Sequence, residues 1–269
     1  MPPSGEVIVD SCFRVLPGMK ADSVDLVMTS PPYDNQSRYN TSEEYPKSWF
    51  DGPFLSCCAD ILRILKPTGS FVLNYRSKRG EVGRGTIQFE LVSWMIDLGF
   101  IFADDYVWGK PTPPPGIYKR VLKDGFEYCF HFAKSPSWKF FPESCLVPSR
   151  VSEEERTYRT TLQPQGDRRT RGPADRSRRR TTSYPAEVLP STLLLINPDF
   201  GRNPSKHPAR FPVALPEFFI KLLTEPGDLV VDPFAGTGTT AVAAEKLNRR
   251  WLMIEEQARY IEGLPERLR

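Results

Sequence analysis

The feature that most restricts how this chain can fold is the segment LVVDPFAGTGTT at residues 229–240. A short apolar run ends at an acidic residue, Asp232, and leads directly into a glycine-rich turn and then a helical pattern. Gly236 and Gly238 allow the backbone to approach a ligand closely and to adopt angles closed to other residues. A tight structural turn with a solvent-facing Asp232 is the simpler alternative, but the run of restrictive residues favours a ligand site.

The rest of the chain alternates short apolar runs with segments of helical spacing. Strands are predicted at 6–11, 24–30, 70–75, 229–234 and 250–255, with an antiparallel pair at 100–108 and 126–133. Helices are predicted at 54–67, 86–99, 212–228 and 239–248, with a last one running through residue 260. This order predicts an α/β fold: a Rossmann-like, doubly wound, mostly parallel sheet covered on both faces, with an antiparallel hairpin strand.

Composition places the chain among globular proteins, with 39% hydrophobic and 26% charged residues in 269. No apolar run approaches the roughly 18 residues of a membrane helix, and the start lacks a secretory pattern, so we expect a cytoplasmic protein with no membrane partner. The five cysteines form no C-x-x-C pair and are expected to be buried and reduced. Only two histidines are present, so no metal site is expected.

The positive charge is concentrated in one window, residues 150–182. This window contains ten arginines, no lysine and five acidic residues, a net charge of +5, whereas the rest of the chain sums to −2. Such a concentration suits contact with a polyanion. A solvated, flexible surface segment is the competing interpretation, and a loop that becomes ordered on phosphates lies between the two.

Three ligands compete for the glycine turn. A phosphate loop is excluded because its pattern requires a lysine that the turn lacks. The dinucleotide fingerprint fits residues 236–241, and Glu255, 17 residues after Gly238, could hold a ribose. S-adenosylmethionine (AdoMet) fits better, because Asp232 would face the ammonium group of its methionine moiety and Glu255 would bind both ribose hydroxyls. Two carboxylates at neighbouring strand ends suit a cationic ligand and repel a pyrophosphate.

A second unusual segment, TSPPY at residues 29–33, ends the apolar run VDLVMTS. Adjacent strands of an open α/β sheet bring their carboxyl ends to one crevice, so this segment would face the glycine turn if the two strands are neighbours. The Ser30 hydroxyl and the Pro31 carbonyl could accept hydrogens from an exocyclic base amine, whose lone pair is otherwise delocalised. Pro31 and Pro32 would hold these oxygens in place, and Tyr33 would stack on a flipped base.

The order of these two motifs, TSPPY before DPFAGTGTT, resembles that of the beta class of DNA amino-methyltransferases. The resemblance covers most of the chain. It implies an AdoMet-dependent methyltransferase fold in circularly permuted order, with residues 1–110 as the catalytic half and 206–269 as the cofactor half. Residues 111–205 would then hold the hairpin strand and the target-recognition region with its arginine-rich insert.

The resemblance also implies site residues. The catalytic positions are Ser30, Pro31, Pro32 and Tyr33. The cofactor positions are Asp10, Ser11, Lys206, Arg210, Phe211, Pro212, Asp232, Phe234, Gly236, Gly238, Thr239 and Glu255. The positions expected to contact DNA, the arginines among them from the charge pattern, are Trp108, Lys110, Arg168, Arg169, Arg178, Arg179 and Arg180. The family often has a glycine near residues 253–255, which this chain lacks.

The sequence favours cytosine N4 as the methylated atom, because Ser-Pro-Pro-Tyr is similar to the motif of the cytosine-N4 enzymes. Adenine N6 stays open, since Asp34 could supply the carboxylate typical of adenine enzymes, and carbon-5 chemistry is disfavoured because no Pro-Cys dipeptide exists. The partner implied is double-stranded DNA, with a restriction endonuclease as a genetic rather than physical partner and a monomer or homodimer as the assembly. A nucleic-acid-binding protein without catalysis is the alternative from another class.

Overall fold

The structure is a computed structural model that describes residues 5–33, 49–77, 83–113, 122–149, 186–199 and 210–268. Its strands, in chain order, are β1 Gly5–Ile8, β2 Val24–Thr29, β3 Leu65–Tyr75, β4 Ile101–Gly109, β5 Phe126–Ala133, β6 Val147–Pro148, β7 Glu187–Val188, β8 Leu193–Leu195, β9 Leu229–Asp232 and β10 Arg250–Ile254. Its α-helices are α1 Cys12–Val15, α2 Leu55–Ile64, α3 Ile87–Leu98, α4 Ala214–Leu223, α5 Thr239–Lys246, α6 Ala258–Ile261 and α7 Leu264–Arg267. A π-helical turn, Phe50–Phe54, precedes α2, and 3-10 turns occupy Leu16–Gly18 and Pro142–Cys145.

The chain divides into two compact units, one of Met1–Ser144 with Ser191–Arg269 and one of Cys145–Pro190. The described part of the smaller unit is an antiparallel pair, β6 with β7, in which Val147 lies opposite Val188. The predicted division into a catalytic half (1–110), a target-recognition region (111–205) and a cofactor half (206–269) concerns function and stays a prediction.

The larger unit contains an eight-stranded sheet in the order β1-β10-β9-β2-β3-β5-β4-β8. Neighbouring strands are parallel except where β5 runs antiparallel to both β3 and β4. This topology confirms the predicted mostly parallel sheet with an antiparallel hairpin strand. It also confirms the permuted order, because β2, which carries TSPPY, precedes β9, which carries the glycine turn.

Helices cover both faces of the sheet, as expected for strands as apolar as β2, whose six residues are all buried. On one face, α2 and α3 pack on Phe71 and Leu73 of β3 in a continuous apolar core. On the other face lies α4, whose Phe219 ring is 5.1 Å from that of Tyr106 on β4. Helix α3 ends where the sequence predicts, at Gly99 in the left-handed conformation with φ 105°.

The boundary between α2 and β3 differs from the prediction. The helix was expected to run to Pro67, but it ends at Ile64, and β3 begins at Leu65, which pairs with Val24 of β2. The register then shifts, so that Ser70 pairs with Leu26. Residues 66–69 therefore form an irregularity within the strand rather than the end of the helix, because pairing with β2 outweighs the local helical pattern.

All five cysteines are buried and none is in a disulfide. Within the described ranges, no helix is both long and apolar enough to cross a bilayer.

Candidate active site

The two motif-bearing strands are neighbours. Strand β2 pairs in parallel with β9, with Leu26 opposite Val230 and Val27 opposite Val231. At their carboxyl ends the Thr29 hydroxyl donates a 2.6 Å hydrogen bond to Asp232 Oδ1. The Ser-Pro-Pro-Tyr loop (residues 30–33), which is predicted to be catalytic and is called the catalytic loop below, therefore emerges beside the glycine turn at one edge of the sheet. This confirms the predicted adjacency of the two strands.

Asp232 supports the glycine turn from within. Its side chain is 1% exposed, and besides Thr29 it accepts hydrogen bonds from the Thr240 hydroxyl at 2.6 Å and the Phe234 amide at 3.1 Å. Burial raises the pKa of Asp232 to about 6, and the three donors oppose this rise. The expected contact with a ligand ammonium stays a proposal, whereas the role of connecting β2, the turn and α5 was not predicted.

The glycine turn has the backbone that its composition indicates. Gly236 and Gly238 have φ of 53° and 72°, in the left-handed region that favours glycine. A Cβ on Gly238 would lie 2.7 Å from a methyl carbon of Leu264, so a side chain there would have to displace Leu264 of α7. The Gly236 amide donates a 2.8 Å hydrogen bond to Glu255, which ties the turn to the end of β10.

Glu255 is partly buried at the end of β10, next to the glycine turn. Its other carboxylate oxygen accepts a 2.8 Å bond from the Gln257 amide. Burial, and less strongly the nearby Asp232 and Glu256 carboxylates, raises the pKa of Glu255 to about 7, while the amides of Gln257 and Gly236 oppose the rise. A half-buried carboxyl group of this kind suits neutral hydroxyl donors such as those of a ribose.

Helix α7 contacts the same turn through Arg267. The guanidinium donates to the Thr237 carbonyl at 2.6 Å and to the Thr239 hydroxyl at 3.2 Å. Burial, and then the nearby Arg210, lowers the pKa of Arg267. No sequence pattern indicates this contact, because Arg267 is one of many arginines and lies outside every motif.

Three further predicted cofactor residues, Asp10, Ser11 and Phe234, lie after β1 and within the turn. Asp10 and Ser11 follow β1, which pairs with β10, and Asp10 accepts bonds of 2.6 Å from the Ser11 amide and from Arg14. Phe234 belongs to an aromatic cluster, with ring centroids 6.0 Å from Phe54 and 6.1 Å from Trp49.

The residues before α4 are described only from Arg210 onward. The Arg210 guanidinium lies 3.5 Å from the Asp199 carboxylate. Phe211 is partly buried and Pro212 is buried, and the Pro212 carbonyl accepts a 3.0 Å bond from Leu215 at the start of α4. Lys206 lies outside the described residues, so its expected contact with the cofactor stays a prediction.

The catalytic loop is held by hydrogen bonds between side chains. Ser30 Oγ donates to the Tyr33 hydroxyl at 3.2 Å, and that hydroxyl donates to Glu127 Oε2 at 2.6 Å. Pro31 is buried, Pro32 is partly buried, and the Tyr33 ring packs edge-on against Tyr75 with centroids 5.1 Å apart.

Two residues that contact this loop were not predicted from the sequence. Glu127 lies on β5 and forms an ion pair with Lys110, both being largely buried at 15% and 11% side-chain exposure. Asn74 lies near the end of β3, with its Oδ1 3.3 Å from the Tyr33 hydroxyl and its Nδ2 3.0 Å from the Tyr128 carbonyl. A polar residue near the end of a buried strand could have indicated Asn74, whereas Glu127 lies at the start of a hairpin strand with no such signal.

Trp108 and Lys110 occupy positions unlike those expected for residues that contact DNA. Trp108 is 3% exposed and donates from its indole nitrogen to the Ile196 carbonyl at 2.8 Å. The Lys110 ammonium lies 4.5 Å from the centre of the Trp108 ring and pairs with Glu127. The indole bond to Ile196, just after the neighbouring β8, and the pairing of Lys110 with Glu127 on the neighbouring β5 hold both side chains within the protein. Their expected contact with DNA stays a prediction. The other residues expected to contact DNA lie outside the described residues: Arg168, Arg169, Arg178, Arg179 and Arg180.

No metal-binding arrangement is present among the described side chains: no three His, Cys, Asp or Glu residues there are grouped to hold an ion.

A mostly parallel sheet with one antiparallel strand, a glycine turn beside carboxylates and an adjacent Ser-Pro-Pro-Tyr loop together define the class of AdoMet-dependent amino-methyltransferases. The profile of the family described as DNA methylase matches residues 24–266. The chain therefore belongs to the DNA methylase family.

Known proteins agree with this assignment. The chain is 31% identical over 96% of its length to the type II methyltransferase M.PvuII of Proteus hauseri, covering 82% of that protein. It superposes on the structure of PvuII DNA methyltransferase, described as cytosine-N4-specific, with a TM-score of 0.72 and 28% identity over 98% of this chain and 86% of the other. The TTHA0409 protein of Thermus thermophilus, solved with S-adenosyl-L-methionine, matches with a TM-score of 0.62 and 25% identity over 98% and 93% of the two chains.

Proposed function

We propose that this DNA methyltransferase transfers a methyl group from AdoMet to the exocyclic N4 of a cytosine flipped out of double-stranded DNA. The observation that carries the proposal is the hydrogen bond of 2.6 Å between Thr29 and Asp232, which holds the catalytic loop beside the glycine turn. A methyl donor at the turn and a base amine at the loop would then be neighbours.

The residues at the turn fit AdoMet. Gly236 and Gly238 give the turn its left-handed backbone, and Glu255 at its side would hold the ribose hydroxyls. The acidic surroundings set by Asp232 and Glu255 favour a cation over a pyrophosphate. When bound, AdoMet supplies an electrophilic methyl group on a sulfonium sulfur. TTHA0409, a protein of the same fold, binds this cofactor in its crystal structure.

The catalytic loop fits an amine acceptor. The lone pair of an exocyclic amine is delocalised into the base, so the nitrogen must become tetrahedral before it attacks. Ser30 Oγ and the Pro31 carbonyl would accept the amine hydrogens, and the buried Pro31 limits their movement. The Tyr33 ring, on the same loop, would contact the flipped base.

Cytosine N4 is favoured over adenine N6 by the Ser-Pro-Pro-Tyr loop and by the similarity to M.PvuII. The arginine-rich window within residues 111–205 would supply contacts to DNA phosphates. We further infer that the genetic partner is a restriction endonuclease of the same specificity and that the enzyme acts as a monomer or homodimer.

The experiment that tests the proposal is nucleoside analysis. DNA incubated with the protein and AdoMet is digested to nucleosides and analysed by mass spectrometry, with a Tyr33→Ala variant as the control for a contaminating activity. We expect N4-methylcytosine from the native protein and much less from the variant. Detection of N6-methyladenine would show that the substrate base is adenine rather than cytosine. Cofactor binding with no methylated nucleoside would contradict a DNA substrate.

A further inference from the structure

The side chains behind the catalytic loop form a chain of hydrogen bonds with a definite direction. A hydroxyl has one hydrogen to donate. The Tyr33 hydrogen is directed to Glu127 at 2.6 Å rather than to Asn74 at 3.3 Å, since the shorter contact is to a charged acceptor. The Tyr33 oxygen can therefore accept the Ser30 hydrogen at 3.2 Å.

This direction determines what Ser30 can do. With its hydrogen given to Tyr33, the Ser30 oxygen has only lone pairs left to present to a substrate. Such an oxygen can accept a hydrogen from an amine but cannot donate one. If the chain ran in the opposite direction, Ser30 would present its hydrogen and repel the amine.

We propose that Glu127, paired with Lys110, is a positioning residue that sets this direction and so makes Ser30 an acceptor for the substrate amine. The inference rests on the proposed function, because it assigns Glu127 a part in amine methylation. Glu127 touches neither substrate nor cofactor in this scheme and acts through Tyr33.

The charged and titratable groups around Glu127 come from four elements. Lys110 follows β4 and pairs with Glu127 Oε1, while Tyr33 follows β2 and donates to Oε2. Arg76 follows β3 and interacts electrostatically with Glu127, as does Cys129 on β5 itself. Lys110 pairs directly with the carboxylate, and Arg76 is a second cation that interacts with it electrostatically.

The decisive variant is Glu127→Gln. Lys110 can only donate, so the glutamine must turn its oxygen toward Lys110 and its amide group toward Tyr33. The amide would then donate to Tyr33, and the Tyr33 hydrogen would turn to Ser30 Oγ at 3.2 Å or to Asn74 Oδ1 at 3.3 Å, so Ser30 would no longer be held as the donor. We expect kcat to fall by about tenfold or more, the value of a hydrogen bond to a charged group, with little change in AdoMet affinity.

A second substitution separates this role from a structural one. In Glu127→Gln/Lys110→Met the residue at 110 no longer donates a hydrogen bond. The glutamine oxygen is then free to accept the Tyr33 hydrogen. We expect this double variant to recover a large part of the kcat, although it lacks both charges. The control is Glu6→Gln, an exposed position on β1, which should leave kcat unchanged. A native kcat in Glu127→Gln, or no recovery in the double variant, would overturn the proposal.

A measurement without methylation keeps the inference distinct from the proposed function. In the native protein the Tyr33 hydroxyl proton should give a downfield NMR signal, identified by its absence in Tyr33→Phe. We expect Glu127→Gln to shift it strongly upfield or abolish it. If the native protein methylates no DNA, the proposed function fails, but the signal still tests whether Tyr33 donates to Glu127. An unchanged signal in Glu127→Gln would refute the proposed direction of the hydrogen bonds.

Discussion

Thr29 and Asp232 are 203 positions apart in the chain and are joined by a hydrogen bond of 2.6 Å. Thr240 and the Phe234 amide complete the environment of the Asp232 carboxylate. The sequence identified Asp232 as a ligand contact because an acidic residue ends a strand at a glycine turn. It could not identify the bracing role, because the hydroxyl donors come from β2 and α5 and depend on how these elements pack.

Ser30 is the residue whose replacement tests the chemistry most directly. Ser30→Ala removes one acceptor for the amine and leaves the Pro31 carbonyl, so we expect kcat to fall by about a hundredfold while AdoMet affinity stays the same. Turnover is measured by methyl incorporation and affinity by calorimetry. Ser23→Ala, just before the same strand, is the matched control. Full turnover in Ser30→Ala would assign the acceptor role to another group.

Glu255 should make the stability of the protein depend on pH. Its pKa is raised from 4.5 to about 7 on folding, so between these values the folded state binds more protons than the unfolded state. The free energy of unfolding should therefore decrease as pH rises through that window, with Asp232 adding to the decrease up to about pH 6. Glu255→Gln should show a shallower decrease in urea denaturation at several pH values, and Glu6→Gln should not. Equal slopes in the native and Glu255→Gln proteins would contradict the assignment.

At the scale of elements, helix α7 contacts the glycine turn, and no motif indicated this contact. Leu264 fills the space beside Gly238, and Arg267 binds Thr237 and Thr239 of the turn. The helix is four residues long, and its sequence LPER shows no ligand pattern. Its contribution depends on where the chain returns after β10, and local sequence does not determine that position.

Replacing Arg267 should weaken cofactor binding. Arg267→Met keeps most of the apolar stem but removes the bonds to the turn, so we expect the Kd for AdoMet to rise about tenfold. The Kd is measured by calorimetry. The control is Arg259→Met on α6, where the arginine is exposed and lies over the Tyr260 ring. An unchanged Kd in Arg267→Met would show that the turn keeps its conformation without α7.

Most elements could be predicted because their patterns are local. The buried run of β2, the strand–turn–helix after Leu229 and the helix ending at Gly99 all follow from apolar spacing and glycine positions. The start of β3 could not be predicted, because Leu65 joins the strand by pairing with Val24 of β2, ahead of an irregularity at residues 66–69.

At the scale of the whole molecule, the charge distribution predicts how DNA binding depends on salt. Neutralising Arg178, Arg179 and Arg180 to glutamine should reduce the slope of log K against log salt by about 0.9 for each DNA phosphate that the variant no longer neutralises. Binding is measured by fluorescence anisotropy over a range of salt. Replacing the exposed Lys20 and Lys246 by glutamine serves as the control. An unchanged slope in the arginine variant would exclude this window from the interface.

The order of strands in the sheet decides which predicted residues meet. Ser30 and Asp232 come together because β2 and β9 are neighbours, an arrangement further tied at the start of the strands, where the buried Asp25 binds Lys66 at 2.7 Å and the Leu229 amide at 3.0 Å. The same order places β8 beside β4, and the carbonyl of Ile196 just after β8 accepts the Trp108 indole hydrogen. The resemblance of residues 108–110 to a family segment could suggest that Trp108 lies near the flipped base. It could not reveal that the Trp108 side chain is buried.

By itself, the sequence determined the alternation of strands and helices, the two motifs and the concentration of arginines, since each is a property of residues close together in the chain. Only the tertiary structure decided that Glu127 and Lys110 lie behind Tyr33, that α7 holds the glycine turn and that Asp232 points inward. These contacts join residues from distant segments, and their geometry depends on strand order and register. Hydrogen-bond direction in particular is a property of the assembled network, because each hydroxyl donates its single hydrogen according to the partners that folding brings to it.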